Sequence, residues 1–186
     1  MSGKVADVAE KTTTGRTRPW WLSALLRGPG GLASLPARVI ITLMIAGGAV
    51  CTAGSGVIHL YLWGKQYGYR DVPTIGPLFL LQGIAAILLA VLVLVSRRAV
   101  ALILAGGMLV MSVVALVIAI EVGLFGFKDS WLAPYAWTTF YEEIAGAVLL
   151  LVAAAVLIGP ALPFSRGGSR LGRPARAGRY ARTAAR

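Results

Sequence analysis

A chain of 186 residues is long enough for one ordinary domain. Its hydrophobic fraction of 58% and charged fraction of 13% depart from the roughly 45–50% apolar and about 25% charged make-up of soluble domains, so lipid must serve as solvent for much of its surface. The net charge of +11 sits almost wholly outside the apolar runs, which argues against nucleic acid as a partner, and the single cysteine excludes an internal disulfide and C-x-x-C redox chemistry.

Residues 1–38 are polar, basic and broken by Pro19, Pro29 and Pro36. Composition predicts a mostly disordered segment. Trp20, Trp21, Leu22, Leu25 and Leu26 interrupt it as an apolar patch between Arg18 and Arg27. That patch reads either as an interfacial segment with indoles at headgroup level or as linker with incidental tryptophans.

Residues 39–160 form the transmembrane domain, with spans expected at about 39–63, 76–96, 99–123 and 140–158. A bilayer core needs about 20 helical residues, and each of these runs approaches or exceeds that length. The first is too long for a signal-peptide core. Cys51 lies within it as a small packing residue; Val50 before it is too large for a lipobox. Pro77 suits the first turn of the second span, where a missing N–H costs nothing. Arg97 and Arg98 form the only very short connection, and Gly159 and Pro160 stop the fourth span. Four spans joined this way read as an all-α, up-down four-helix bundle.

Lys and Arg counts set the expected orientation. The N-terminal segment, the Arg97–Arg98 turn and the C-terminal tail carry six, two and seven basic residues on one side, against Lys65, Arg70 and Lys128 on the other. The basic side is therefore expected to be cytoplasmic, with both termini there. Residues 161–186 form an Arg-rich tail that reads as disordered. Arg166, Arg170, Arg173, Arg176, Arg179, Arg182 and Arg186 are expected to lie on the anionic inner leaflet, each worth about 1 kcal/mol.

The polar residues inside the spans carry the chemistry. His59, Gln82, Glu121, Glu142 and Glu143 come from four different spans. Because neighbouring spans alternate direction, all five fall in the outer leaflet. Charged groups at that depth cost about 3 kcal/mol or more and count by default as functional hypotheses. On the first span Gly48, Thr52, Ser55, Gly56 and His59 share a stripe that drifts only about 20° between Gly48 and His59, so His59 is expected to face a neighbouring helix. Gln82, Ala86 and Ala90 make a looser stripe, and Glu142 and Glu143 sit over Gly146 and Ala147. Glu121 shares a face with Val114, Val117 and Ile118, close enough to the interface to snorkel.

Two arrangements fit these residues. In one they line an outer pocket for a proton, a small quinone-like ligand, or a metal held by His59, Glu121 and Glu143. In the other they only hydrogen-bond across helices, at about 0.6 kcal/mol each, and Glu142 and Glu143 face water. The outer aromatics, Tyr61, Trp63, Tyr67 and Tyr69 and then Trp131, Tyr135, Trp137, Phe140 and Tyr141, read as an interfacial belt. Asp129 to Thr139 reads as loop or as a short helix lidding the bundle.

The strings His59-Leu-Tyr-Leu-Trp63, Tyr69-Arg-Asp-Val-Pro-Thr-Ile-Gly-Pro-Leu-Phe-Leu-Leu-Gln82 and Gly123-Leu-Phe-Gly126 resemble those of a group of small four-span bacterial integral membrane proteins to which no activity is assigned. The resemblance covers about residues 40–158. It implies a four-helix fold in a bacterial inner membrane and no particular chemistry. Small multidrug exporters also have four spans and a buried Glu, but theirs lies in the first span, where this chain has none.

No nucleophile or defined metal triad is visible, and no cofactor is expected. The first expectation is therefore a non-enzymatic accessory subunit, binding a membrane partner or further copies of itself. The alternative is a binding or transport protein built on the outer polar layer.

Overall fold

The structure, a computed structural model, describes residues 19–64 and 68–159. Five α-helices occupy most of them, α1 (Trp20–Leu25), α2 (Leu35–Gly64), α3 (Ile75–Ser96), α4 (Ala99–Glu121) and α5 (Ala136–Ile158), with short 3-10 turns at Pro29–Gly31 and Tyr69–Asp71. The described residues contain no strand, only one isolated bridge between Leu124 and Phe127. Helices α2 to α5 are long and apolar enough to cross a membrane. The expected all-α four-span bundle is what forms, and the physical reason is general: within lipid every backbone N–H and C=O must be satisfied inside its own segment.

Two boundaries move from the expected positions. Helix α2 starts at Leu35 rather than 39, with Pro36 in its first turn and the Ala37 N–H donating to Ser34 Oγ at 3.3 Å. Helix α5 starts at Ala136 rather than 140, because the polar Thr138 and Thr139 do not break a helix whose other side is aromatic. Asp129 to Tyr135 is a run of turns rather than a lid helix, with Tyr135 left-handed at φ 64° before α5 begins. The apolar N-terminal patch does form the short helix α1, with Trp20 and Trp21 exposed. Residues 1–18, 65–67 and 160–186 lie outside the described residues, as do the arginines assigned to the inner leaflet.

Helix α2 packs against both α3 and α5, and α4 packs against α5. Close approach of α2 and α3 depends on glycine: a Cβ on Gly56 would sit 3.0 Å from the Gly83 carbonyl oxygen and from Ala86 Cβ. Small residues at such crossings let backbones meet in lipid, where no hydrophobic force drives helices together. Near the Arg97–Arg98 turn the helices share one apolar core, including Ile45, Val93, Leu102, Leu109, Leu150 and Leu157. The segment after α1 braces this end, since the Ala99 N–H donates to the Arg27 carbonyl at 3.0 Å. Helices α3 and α4 are joined at that turn yet touch much less than the other neighbouring pairs. Towards the opposite end, where the longer connections lie, they leave a cleft.

Candidate functional site

The cleft is a cavity of about 550 Å³, inside the range of about 300–1,000 Å³ typical of ligand sites. One stripe of each helix lines it: Leu78, Leu81, Gln82 and Ala85 of α3, and Met108, Met111, Ser112, Ala115 and Ala119 of α4. Both stripes follow the three- and four-residue steps that place side chains on one helix face. His59 of α2 and Thr139 of α5 close the back.

The roof is tied down at several points. Tyr69 is buried and donates its hydroxyl to the Asp129 carboxylate at 3.1 and 3.3 Å. Its ring stacks on Phe79 at 4.7 Å and meets the edge of Phe127 at 5.8 Å. The Asp129 N–H donates to the Ala119 carbonyl at 3.0 Å, which fixes the loop to the end of α4. Burial and the adjacent Asp129 carboxylate push the Tyr69 phenol well above the ordinary tyrosine range.

Four of the five polar residues expected at this level take inward or partly inward positions. His59 is 9% exposed, with its ring 5.0 Å from that of Phe79. Its Nδ1 lies 2.8 Å from the Ser55 carbonyl. A carbonyl only accepts, so Nδ1 carries the hydrogen, and in the neutral ring Nε2 is left as an acceptor. Glu143 is fully buried. It lies about 10 Å along α5, some two turns from the helix start, so it is not an interface residue facing water. Its Oε1 accepts from Ser55 Oγ at 2.6 Å and from Ser112 Oγ at 2.7 Å. Those three side chains join α2, α4 and α5. Gln82 lies on the cavity wall, and its Nε2 is buried with no hydrogen-bond partner among the described residues.

Glu142 is half-buried and takes a different route. Its carboxyl lies against Gly54 in the α2–α5 seam, in the space where a Cβ of residue 54 would stand. It does not line the cavity. Glu121 also departs from the expected layer. It is exposed, and the Trp131 indole N–H donates to its Oε1 at 3.1 Å. The expectation of a metal held by His59, Glu121 and Glu143 is not met: among the described residues no three His, Cys, Asp or Glu side chains gather in a way that could hold a metal ion. The reason is rotational, since Glu121 sits on the face of α4 that carries the exposed Val114 and Ile118, not on the cavity face.

Reading the sequence for charge missed three participants. Ser112 is the one polar side chain in α4 before Glu121, and that isolation is the signal that would have found it. Tyr69 and Asp129 lie 60 residues apart, and nothing local pairs them. The aromatic belt is present as a stack in which Trp131 and Trp137 lie 4.5 Å apart and Trp137 and Tyr141 5.8 Å apart.

No family model, curated protein or solved structure matches the chain.

Proposed function

We propose that this chain is a multi-pass membrane protein that binds a small organic molecule bearing a hydrogen-bond acceptor, in the cavity between α3 and α4. One observation carries the reading: the Gln82 amide nitrogen is buried on the cavity wall without a partner. A buried donor left unmade costs about 1–3 kcal/mol, and a turn of the Gln82 amide that brings this nitrogen to an acceptor on a bound molecule offsets that cost. His59, at the back of the cavity, has Nε2 as an acceptor, and apolar side chains supply most of the remaining surface. Of the two roles expected from the sequence, ligand binding is the one this cavity supports. The accessory-subunit role calls for no cavity.

The orientation and compartment belong to the same proposal. The excess of Lys and Arg beside the Arg97–Arg98 turn supports a cytoplasmic location for that end and for both termini. The cavity then lies in the outer half of a bacterial inner membrane. Glu143 stands behind the wall, its carboxyl accepting from the hydroxyl of Ser112, a residue of the cavity lining.

The test is mass spectrometry of solvent extracts from purified protein, wild type beside Gln82→Met. A stoichiometric organic molecule in the wild type, lost from the folded variant, is the expected result. The same molecule at the same level in both would refute the role given to Gln82.

A further inference from the structure

The cavity is closed and open on particular sides, and this bears on the ligand. Towards the water-facing end the Tyr69–Asp129 hydrogen bond and the Tyr69 ring contacts hold the roof. Towards the turn end the shared apolar core fills the space. Behind lie α2 and α5. The remaining side, between the outer stretches of α3 and α4, has no covering element among the described residues. Cavity-lining residues there also face outward: Leu81 is 63% exposed and Met111 65%. Both belong to helices long and apolar enough to cross a membrane, so what they face is acyl chain rather than water.

From this we infer that the ligand is a bilayer-dissolved lipophile of the quinone class, a carbonyl-bearing head on an aliphatic chain, reaching the cavity sideways between α3 and α4. The inference rests on the binding role proposed above. With the Gln82 amide turned to the cavity, an oxygen of the head accepts from its Nε2 in either redox form, and in the reduced form the other hydroxyl donates to His59 Nε2. The pairing is chemically apt because Gln82 offers a donor and His59 an acceptor on a lining that is mostly apolar and carries no Lys or Arg. A phosphate or carboxylate head would find no cation among the cavity-lining residues. The chain stays in the cleft, where Leu81, Met111 and Ala115 leave room beside the lipid. The flexible methionines Met108 and Met111 suit a tail of variable shape.

The experiment uses the full chain in lipid nanodiscs and two probes: 2,3-dimethoxy-5-methyl-1,4-benzoquinone, and the same head with a decyl chain. Affinities are measured for wild type, Gln82→Met, and the rim variant Leu81→Trp/Met111→Trp, whose altered side chains face lipid and leave the core intact. Gln82→Met is expected to weaken both probes about tenfold, the loss of one buried hydrogen bond. The rim variant is expected to lower the ratio of decyl to untailed affinity about tenfold, since the two indoles fill the opening in which the tail lies and leave the head site unchanged. If Gln82→Met weakens both probes but the rim variant leaves the ratio unchanged, the binding site stands and sideways access by a tailed lipophile is overturned. If neither probe binds wild type saturably, the quinone class is overturned, and mass spectrometry of the extracts decides the binding role by itself; if Gln82→Met binds both as wild type does, the role given to Gln82 falls and the inference with it.

Discussion

Replacing Gln82 with methionine should make the ligand-free protein more stable and the liganded protein relatively less so. Methionine keeps the chain length of glutamine, is unbranched and has no buried donor to satisfy. The structure gives Gln82 no hydrogen bond to lose among the described residues, and its Nε2 is fully shielded. A buried unmade donor costs about 1–3 kcal/mol. The residue is half-buried, so the lower end applies, and Gln82→Met should gain about 1 kcal/mol. Ligand reverses the order. At a free concentration about a hundred times Kd, binding stabilises the wild type by about 2.7 kcal/mol, and the variant, binding about tenfold more weakly, gains less by roughly 1.4 kcal/mol. The assay is reversible unfolding in mixed micelles followed by far-ultraviolet circular dichroism, with and without the decyl quinone. A ligand-free variant less stable than wild type by 1 kcal/mol or so would refute the reasoning, because it would mean that the amide is bonded in the folded protein.

The other expectations follow from neighbouring contacts. Glu143→Leu should change stability by no more than about 1 kcal/mol in the same unfolding assay: two membrane hydrogen bonds at about 0.6 kcal/mol each are lost. Ser55 and Ser112 can then turn to the carbonyl one helical turn back, as Thr52 does to Gly48 at 2.7 Å. Glu143→Ala should cost more, about 2–5 kcal/mol, because it adds a cavity beneath Ser112. Gly56→Val should part α2 from α3, since even a Cβ there meets the Gly83 carbonyl at 3.0 Å, and should be read as loss of the wild-type peak on size-exclusion chromatography. Tyr69→Phe should flatten the alkaline loss of stability. The folded phenol holds its proton above the ordinary tyrosine range, whereas the unfolded chain releases it near pH 10. The contribution of this group is therefore complete below about pH 10 and falls as pH rises beyond it; denaturant midpoints between pH 9 and 11 check this.

What the amino-acid sequence determined by itself is whatever depends on a residue and its near neighbours along the chain. Four apolar runs become four helices because lipid leaves the backbone no other way to satisfy its polar groups. The stripe from Gly48 through Thr52, Ser55 and Gly56 to His59 faces a neighbour because helical periodicity stacks those positions, and all five are buried. The same periodicity set Glu142 and Glu143 over Gly146 and Ala147 without choosing between them, and the packed bundle made Glu143 the buried one.

Depth and company were not legible. Moving the start of α5 by four residues carried Glu143 from the expected mouth of the bundle to about two turns inside it, and helix ends shift by that much because local signals there are weak. Glu121 looked like a member of the polar layer when depth alone was considered. Its direction around α4 depends on which side of α4 meets α5, and that is a property of the packed bundle. The cavity belongs wholly to the tertiary structure. It arises because α3 and α4, adjacent in sequence and joined by two arginines, each pack on a different helix and diverge above their turn. No spacing within either helix encodes that divergence, so the partnerless amide of Gln82 and the Ser112–Glu143–Ser55 junction acquire meaning only once all four helices are in place.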